Sequence, residues 1–514
     1  MTVDLESPVK IPSNQVQSVA IIGGGASGSI ALDSLVQEDH IKSITLFERR
    51  STFGGIWNLD EGEEHTRTPS EIIKPGYTNT KTDPQLANPF HAGGEDVKGK
   101  RFLLLPKNRQ ERFVSTPSYG GVKTNIIENI MTFSDLNHWD VPGETDPNNT
   151  RYVDGLIVRK YIETYIERHT SDDKVSVIKN TTVEDIERVT KPSSTGEETD
   201  EQFPFRYKLT LRQSVNEESD IWWQESYDAV IVATGHYFVP FIPEVKGLSE
   251  LQKLAPSVIH HAKYYRTPKA YKDKKIIVVG SRASGADITK YAADHATEVY
   301  QSIRNIENTR VLSKKPNIFK KGEISEIEII DSNPSKPSFK VIFNDGSELV
   351  DPDHIIYATG YQFSFPFLNR HIQNHAGREV TKDGRVIQNL YQHTFLLDDP
   401  LITFIGMPVD GVSFRVFEYQ AVLVSRYLAG KVALPAKKEQ LKWCEDRLKD
   451  KGVTRAYHTI GFVDAPDFLS GLTKLGYVDT TKTPVGRPFP VLTEADLEDY
   501  KSWAQRLAEN WDKR

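Results

Sequence analysis

Cys444 is the only cysteine among 514 residues, so no disulfide can form within the chain, and redox chemistry that shuttles between two thiols of one chain is excluded. A lone thiol suits a reducing compartment. Long apolar runs are missing as well: nothing approaches the roughly 18 consecutive apolar residues that a membrane-crossing helix needs. Residues 1–14 have neither a basic n-region nor an apolar h-region, so they do not read as a secretory leader. The cytoplasm is the expected location, with peripheral contact at the cytosolic face of the endoplasmic reticulum left open. There is no excess of positive charge: 64 Lys and Arg stand against 71 Asp and Glu, a net charge of -7. Without a basic run to follow a phosphate backbone, a nucleic-acid partner is not expected. The 14 histidines show no ligand spacing, and His260 and His261, adjacent on an extended segment, point to opposite faces, so no metal site is expected.

What is present begins at Val19-Ala20-Ile21-Ile22, a buried-strand pattern that runs into Gly23-Gly24-Gly25-Ala26-Ser27-Gly28. Gly23, Gly25 and Gly28 have G-x-G-x-x-G spacing, which permits a tight turn, close approach of a pyrophosphate to bare backbone, and close helix-strand packing. By itself the motif leaves a ligand-free turn open. Glu48 lies 20 residues after Gly28, at the end of the apolar run Ile44–Phe47, where a second parallel strand would deliver a carboxylate to a ribose hydroxyl. Arg49 follows it, and Gly54-Gly55-Ile56-Trp57 comes next, two glycines and an indole that could lie against a flat ring.

The same pattern starts again at Lys275-Ile276-Ile277-Val278-Val279-Gly280-Ser281-Arg282-Ala283-Ser284-Gly285, with a further strand ending in Arg304, 19 residues after Gly285. Each copy continues into alternating short runs that read as an antiparallel meander. These are 183–189, 205–211 and 221–227 in the first, with a hairpin tip at 191–201, and 326–330 and 339–343 in the second. Each then closes on an apolar strand and Ala-Thr-Gly, at Ala233-Thr234-Gly235 and Ala358-Thr359-Gly360. Repetition of the whole order marks two related modules. The expected fold is α/β, with two Rossmann-like dinucleotide-binding domains, the smaller inserted in the larger and each carrying an antiparallel meander. The larger spans 15–245 and 346–514, the smaller 246–345, and 58–112, rich in Pro, Gly, Asn and Thr, reads as an irregular surface insertion. An amphipathic helix is expected over 416–428, and a surface helix from the N-cap Thr493 to Trp511.

The two copies carry opposite charges where a ribose would sit. Glu48 accepts hydrogen bonds from ribose hydroxyls and would repel a 2′-phosphate, whereas Arg304 can pair with one. FAD is therefore expected at the first turn and NADPH at the second. Paired modules of this kind occur in flavoprotein disulfide reductases and in flavin monooxygenases, and the missing second cysteine disfavours the former.

Gly23–Gly28, Gly54-Gly55-Ile56-Trp57, Thr124-Asn125, the Gly280 turn and Ala358-Thr359-Gly360-Tyr361 follow one another across nearly the whole chain. In this order the chain resembles the flavin-containing monooxygenases, particularly the soluble fungal type. The family fingerprint F-x-G-x-x-x-H-x-x-x-[F/Y] falls on Leu254–Tyr264, with His260 and Tyr264 present and Leu254 and Pro256 replacing Phe and Gly. Related Baeyer-Villiger enzymes typically have Trp where Tyr264 stands. A second departure is Arg282, in the place of the middle glycine of the second turn.

The resemblance implies FAD contacts from Gly23, Gly24, Gly25, Ala26, Ser27, Gly28, Glu48, Arg49, Gly55, Ile56, Trp57, Thr124 and Asn125. NADPH contacts would come from Gly280, Ser281, Arg282, Ala283, Ser284, Gly285, Asp287 and Arg304. Asn125 is implied as the catalytic residue, touching both cofactors. The implied reaction is NADPH- and O2-dependent oxygenation of a soft S or N nucleophile (a thiol, thioether or amine) through a C4a-hydroperoxyflavin. Baeyer-Villiger oxidation of ketones, NADPH oxidase activity releasing H2O2, and assembly as a homodimer remain open.

Overall fold

A computed structural model describes residues 5–511 except 39, 63–64, 70–71, 73–82, 93–98, 110–112, 145–151, 191–203, 307–312, 336, 369–379 and 382. The expected hairpin tip at 191–201 and much of the insertion at 58–112 lie outside the described residues. The short apolar runs read from the sequence form the core of a seven-stranded sheet. Five strands are parallel, in the spatial order Ile402–Phe404, Ala229–Val232, Ser18–Ile22, Ser43–Phe47 and Val175–Ile178. Phe395–Leu396 and Leu390–Tyr391 extend the sheet antiparallel at one edge. Ala229–Val232 is buried at every residue, as a strand covered on both faces must be.

Helix Ala26–Glu38 returns from the first strand and packs on helix Ser413–Leu428. The latter is longer than the amphipathic segment expected at 416–428, and it is buried on nearly all sides because Ala465–Leu475 packs on it as well. Its polar residues are matched rather than exposed: Gly406 N donates to Gln420 Oε1 at 3.0 Å, and Gln420 Nε2 donates to Thr394 Oγ1 at 2.8 Å. At the C-terminal end, Thr493 caps helix Glu494–Asn510 in a capping box with Asp496.

The first meander has four strands, not three. Thr181–Thr190, Phe205–Ser214 and Ser219–Tyr227 are joined at the edge by Phe102–Pro106, so the stretch 58–112 is not irregular throughout. Ile72, from the same stretch, is buried in the core of the second module.

That module is a five-stranded parallel sheet in the order Ile259–His261, His354–Tyr357, Lys275–Val279, Glu298–Ser302 and Ile318–Lys321. The sheet thus includes His354–Tyr357, beyond the 246–345 span expected for it. Alternation along its central strand divides the core. Ile276 and Val278 face helix Ala283–Ala292, while Ile277 and Val279 face the three-stranded meander of Ile324–Asp331, Ser338–Phe343 and Glu348–Val350. The two sheets are joined by outgoing and returning connectors that pair antiparallel, Val239 with Gln362 and Pro240 with Tyr361.

Both glycine turns are built by the same close contact. A Cβ placed on Gly28 would stand 1.8 Å from Gly23 O, and one on Gly285 would stand 2.4 Å from Gly280 O. Each helix therefore starts in direct contact with the end of its strand. Gly28→Ala is expected to cost about 3 kcal/mol or more, because the atom in the way is backbone and cannot swing aside. Gly471→Ala, in a helix with nothing within 4 Å of the new carbon, is expected to gain about 0.5–1 kcal/mol. Denaturant titration of the two variants checks both signs.

A buried ionic network fastens the C-terminal segment to this first helix. Arg487 donates to Glu418 Oε1 from Nε at 3.0 Å and from Nη2 at 2.6 Å, and it also bonds Asp33 and Asp135. Burial pushes the Asp135 carboxyl up, but hydrogen bonds from Arg487 and Tyr165 outweigh it and hold the group down at about 2. Its stabilising share is therefore complete above about pH 4, the ordinary Asp range, and is lost as pH falls toward 2. Arg487→Met leaves buried Glu418 and Asp33 without their shared cation and is expected to cost about 3–5 kcal/mol at neutral pH. In urea unfolding, the gap between wild type and variant is expected to narrow below about pH 4.

Candidate functional site at the two glycine turns

At the first turn, Gly23 has φ 109 and donates from N to Phe47 O at 2.8 Å, which ties the turn to the end of the second strand. Glu48, next in sequence, is 5% exposed. Its Oε2 accepts from Gly24 N at 2.8 Å and its Oε1 accepts from Arg50 N at 2.8 Å, so the carboxylate is fixed by two amides with a lone pair left on each oxygen. Gly54 N donates to Gly24 O at 3.0 Å, and this brings Gly55 against the turn: a Cβ on Gly55 would stand 3.2 Å from Gly25 Cα. Two stretches of bare backbone beside a fixed carboxylate form a cradle that any side chain would fill. That donor and acceptor set fits the ribose and pyrophosphate of FAD. Ala26 and Ser27 begin the helix, with Ser27 buried, and Ile56 and Trp57 lie in a short 3-10 turn. The Arg49 guanidinium stacks 4.2 Å above the Phe238 ring.

Thr124 is buried, donates from N to Val153 O at 2.9 Å, and accepts from Val153 N through Oγ1 at 3.1 Å. Gly155 N donates to Val122 O at 2.9 Å, and a Cβ on Gly155 would stand 3.2 Å from Trp57 Cε3. The segment carrying Thr124 and half-buried Asn125 is thereby zipped beside Trp57.

The second turn repeats the backbone bonds that tie the first to its neighbouring strands. Gly280 has φ 121, donates from N to Ser302 O at 3.0 Å, and lies under Ala358 O as Gly23 lies under Ala233 O, both 2.6 Å from a built Cβ. Strand register then fixes the equivalences. Ile22 pairs with Phe47 and Val279 with Ser302, so the counterpart of Glu48 is Ile303, and Arg304 is the counterpart of Arg49. The next amides agree, Glu48 N donating to Ile178 O and Ile303 N to Lys321 O, both at 2.9 Å. Counting from the glycines misplaces Arg304 by one residue. The acid is replaced by a buried Ile, and Arg304 stands beside that position, 77% exposed and within 3.4 Å of Glu323.

Ser281, Ala283 and Ser284 line the second turn near the surface, and Gly285 is buried. Asp287 is buried one turn into the helix and accepts from the Tyr119 hydroxyl, so it is engaged within the protein. Arg282 is 66% exposed and forms an ion pair with Asp410. The fingerprint stretch belongs to the fabric of the second module. His260 Nε2 donates to Ser257 O at 2.9 Å, which leaves Nδ1 to accept from the Tyr271 hydroxyl at 3.0 Å. His261 Nδ1 accepts from Lys263 N, so its Nε2 donates to Gly360 O at 3.1 Å.

The sequence reading left out Asp410, Arg455 and His236. Arg455 donates to both oxygens of Asp410, and its Nη1 would stand 3.1 Å from a Cβ on Gly360. Burial, and then the Arg455 charge, push the His236 imidazole down to about 3, so it stays neutral at physiological pH. The Asp410-Gly411 pair signals a turn, and Asp410 has φ 53, but nothing local announces a partner 45 residues away.

Comparison with known proteins agrees with this architecture. Residues 20–85 match an FAD-NAD(P)-binding family, 224–392 a pyridine nucleotide-disulphide oxidoreductase family, and 335–475 the flavin-binding monooxygenase-like family. The flavin-containing monooxygenase ustF2 of Aspergillus flavus is 28% identical over 87% of this chain and 89% of its own length. The flavin-containing monooxygenase iboF of Amanita muscaria is 26% identical over 85% of this chain and 83% of its own. The S-allyl-L-cysteine S-oxygenase of Allium sativum shares the fold, with a TM-score of 0.69 at 24% identity over 97% of this chain and 93% of that one. The match at 224–392 reflects the shared dinucleotide fold, since the one cysteine cannot supply a dithiol. Two dinucleotide turns of one design, together with similarity to flavin-containing monooxygenases along most of the chain, identify an oxidoreductase that uses FAD and NADPH.

Proposed function

We propose that the protein is an NADPH- and O2-dependent monooxygenase acting on a soft sulfur or nitrogen nucleophile. The observation that carries the reading is the pair of like-registered turns with unlike ends, a buried carboxylate at Glu48 and buried Ile303 beside exposed Arg304 at its counterpart. The first favours ribose hydroxyls and opposes a 2′-phosphate, and the second tolerates one. Cys444 supports the same reading: burial pushes its thiol up to about 12, so no thiolate is available to carry electrons at neutral pH.

In this proposal Gly23–Gly28 hold the FAD pyrophosphate, Glu48 the ribose, and Arg49, Gly55, Ile56, Trp57 and Thr124 the remainder. Gly280–Gly285 and Arg304 hold NADPH, and Asp287 steadies the second helix through Tyr119. Asn125 presents its amide to both cofactors. FAD, when bound and reduced, activates dioxygen for transfer of one oxygen atom. The balance is substrate, O2, NADPH and H+ giving oxygenated product, NADP+ and water. The chain's own part is to hold and align the two rings and to keep water from the transfer. The two nucleotide modules follow the division set by the two sheets.

Purified protein is expected to be yellow and to consume NADPH and O2 in equal amounts while converting a thioether to its sulfoxide. Release of H2O2 in place of sulfoxide would overturn the monooxygenase reading, and a lactone from a cyclic ketone would redirect it to Baeyer-Villiger chemistry. Glu48→Ala removes the acceptor of two amides and the ribose partner, and is expected to weaken FAD retention by about tenfold or more in dialysis.

A further inference from the structure

Arg282 occupies the position of Gly25 in the first turn and is the N-cap of helix Ala283–Ala292. Its guanidinium does not stand alone. Nη1 pairs with Asp410 Oδ2, and the same carboxylate holds Arg455, whose Nε reaches Oδ2 at 3.2 Å and whose Nη2 reaches Oδ1 at 3.0 Å. Two cations thus share one anion. Asp410 belongs to Val409–Gly411, which pairs with Thr459–Gly461, so the cluster ties the second glycine turn to the C-terminal part of the chain.

The two arginines are not held alike. Arg455 grips both carboxylate oxygens in a fork and lies against the Gly360 turn, whereas Arg282 touches one oxygen through one nitrogen and is 66% exposed. A forked pair is the stronger, and an exposed single contact is weak and screened by salt. An anion arriving at the start of helix Ala283–Ala292 would meet backbone amides and the base of the Arg282 side chain together.

We propose that Arg282 exchanges anions, leaving Asp410 for the dinucleotide phosphates when NADPH binds and returning to Asp410 when NADP+ leaves, while Arg455 keeps its fork. Asp410 is then a competitor built into the second site, and it sets both affinity and release rate. The inference rests on the assignment of NADPH to the Gly280 turn.

The test is calorimetric binding of NADP+ to the oxidised, FAD-loaded protein. Arg282→Gln is expected to weaken binding about tenfold and to flatten its dependence on ionic strength. Asp410→Asn keeps the left-handed backbone and an acceptor for Arg455, and is expected to tighten binding about threefold and to slow NADP+ dissociation in stopped flow. In the double variant the Asp410→Asn gain should vanish. Wild-type affinity in Arg282→Gln, or an Asp410→Asn gain that persists without Arg282, would overturn the exchange while NADPH binding stands. Failure of the wild-type protein to bind NADP+ would remove the underlying assignment, and the exchange with it.

Discussion

The contact between Gly23 O and the Cα of Gly28 governs the architecture. Only hydrogen fits between them, so the first helix begins at the end of the first strand, its free amides facing the space above the sheet. Once that distance is fixed, Ala233 must close over Gly23, and the chain must turn through Gly235, with φ 68, to leave the sheet. Phe47 must end level with Ile22, because Gly23 N is bonded to its carbonyl. Gly280 and Gly285 impose the same sequence of consequences on the second sheet. The duplication is therefore a repeated solution to one packing constraint.

The two modules are linked by a seam of backbone and side-chain hydrogen bonds. Connectors Val239–Pro240 and Tyr361–Gln362 pair as a ribbon, and Phe241 N donates to Gly360 O at 2.9 Å. Lys263 is fully buried at this seam and donates from Nζ to Phe113 O at 3.1 Å and to Phe238 O. Burial, and then the charge of Arg49, hold its pKa well below the usual lysine range, so the amine can serve as a donor without a full buried charge. His261, neutral by burial, reaches Gly360 from the other side. Carbonyl acceptors recur across the seam, where Arg266 also donates to Ser118 O and Thr116 O, both at 3.1 Å.

What could be read from the sequence follows the range of the forces involved. Strands such as Ala229–Val232 and the glycine turns declare themselves locally, since burial on both faces and the loss of Cβ are properties of a few adjacent residues. Phe102–Pro106 does not, because its partner is Ser219–Tyr227 and the intervening loops hide an edge strand. The helix Ser413–Leu428 carries Arg415, Glu418 and Gln420 among its apolar residues, and only their distant partners reveal that these polar groups are buried. Arg304 shows the finest limit: the span from glycine to strand end is two residues shorter in the second copy, and only pairing register shows that Ile303 replaces Glu48.

The one-residue offset between Arg304 and Ile303 changes the electrostatic argument. With Arg304 directly opposite Glu48 in role, the two sites would differ by a reversal of charge at a single point. With Ile303 there instead, the second site differs first by the absence of an acid, and its cations, Arg282 and Arg304, lie at the surface on either side. Buried charge discriminates by geometry, whereas exposed charge attracts at longer range and is screened by salt. On the proposed assignment the first site suits a cofactor that stays, gripped by a carboxylate fixed on two amides, and the second suits one that arrives and departs. Each exposed cation makes a carboxylate contact, Arg304 with Glu323 at 3.4 Å and Arg282 with the shared Asp410, and exposed pairs of this kind are worth little.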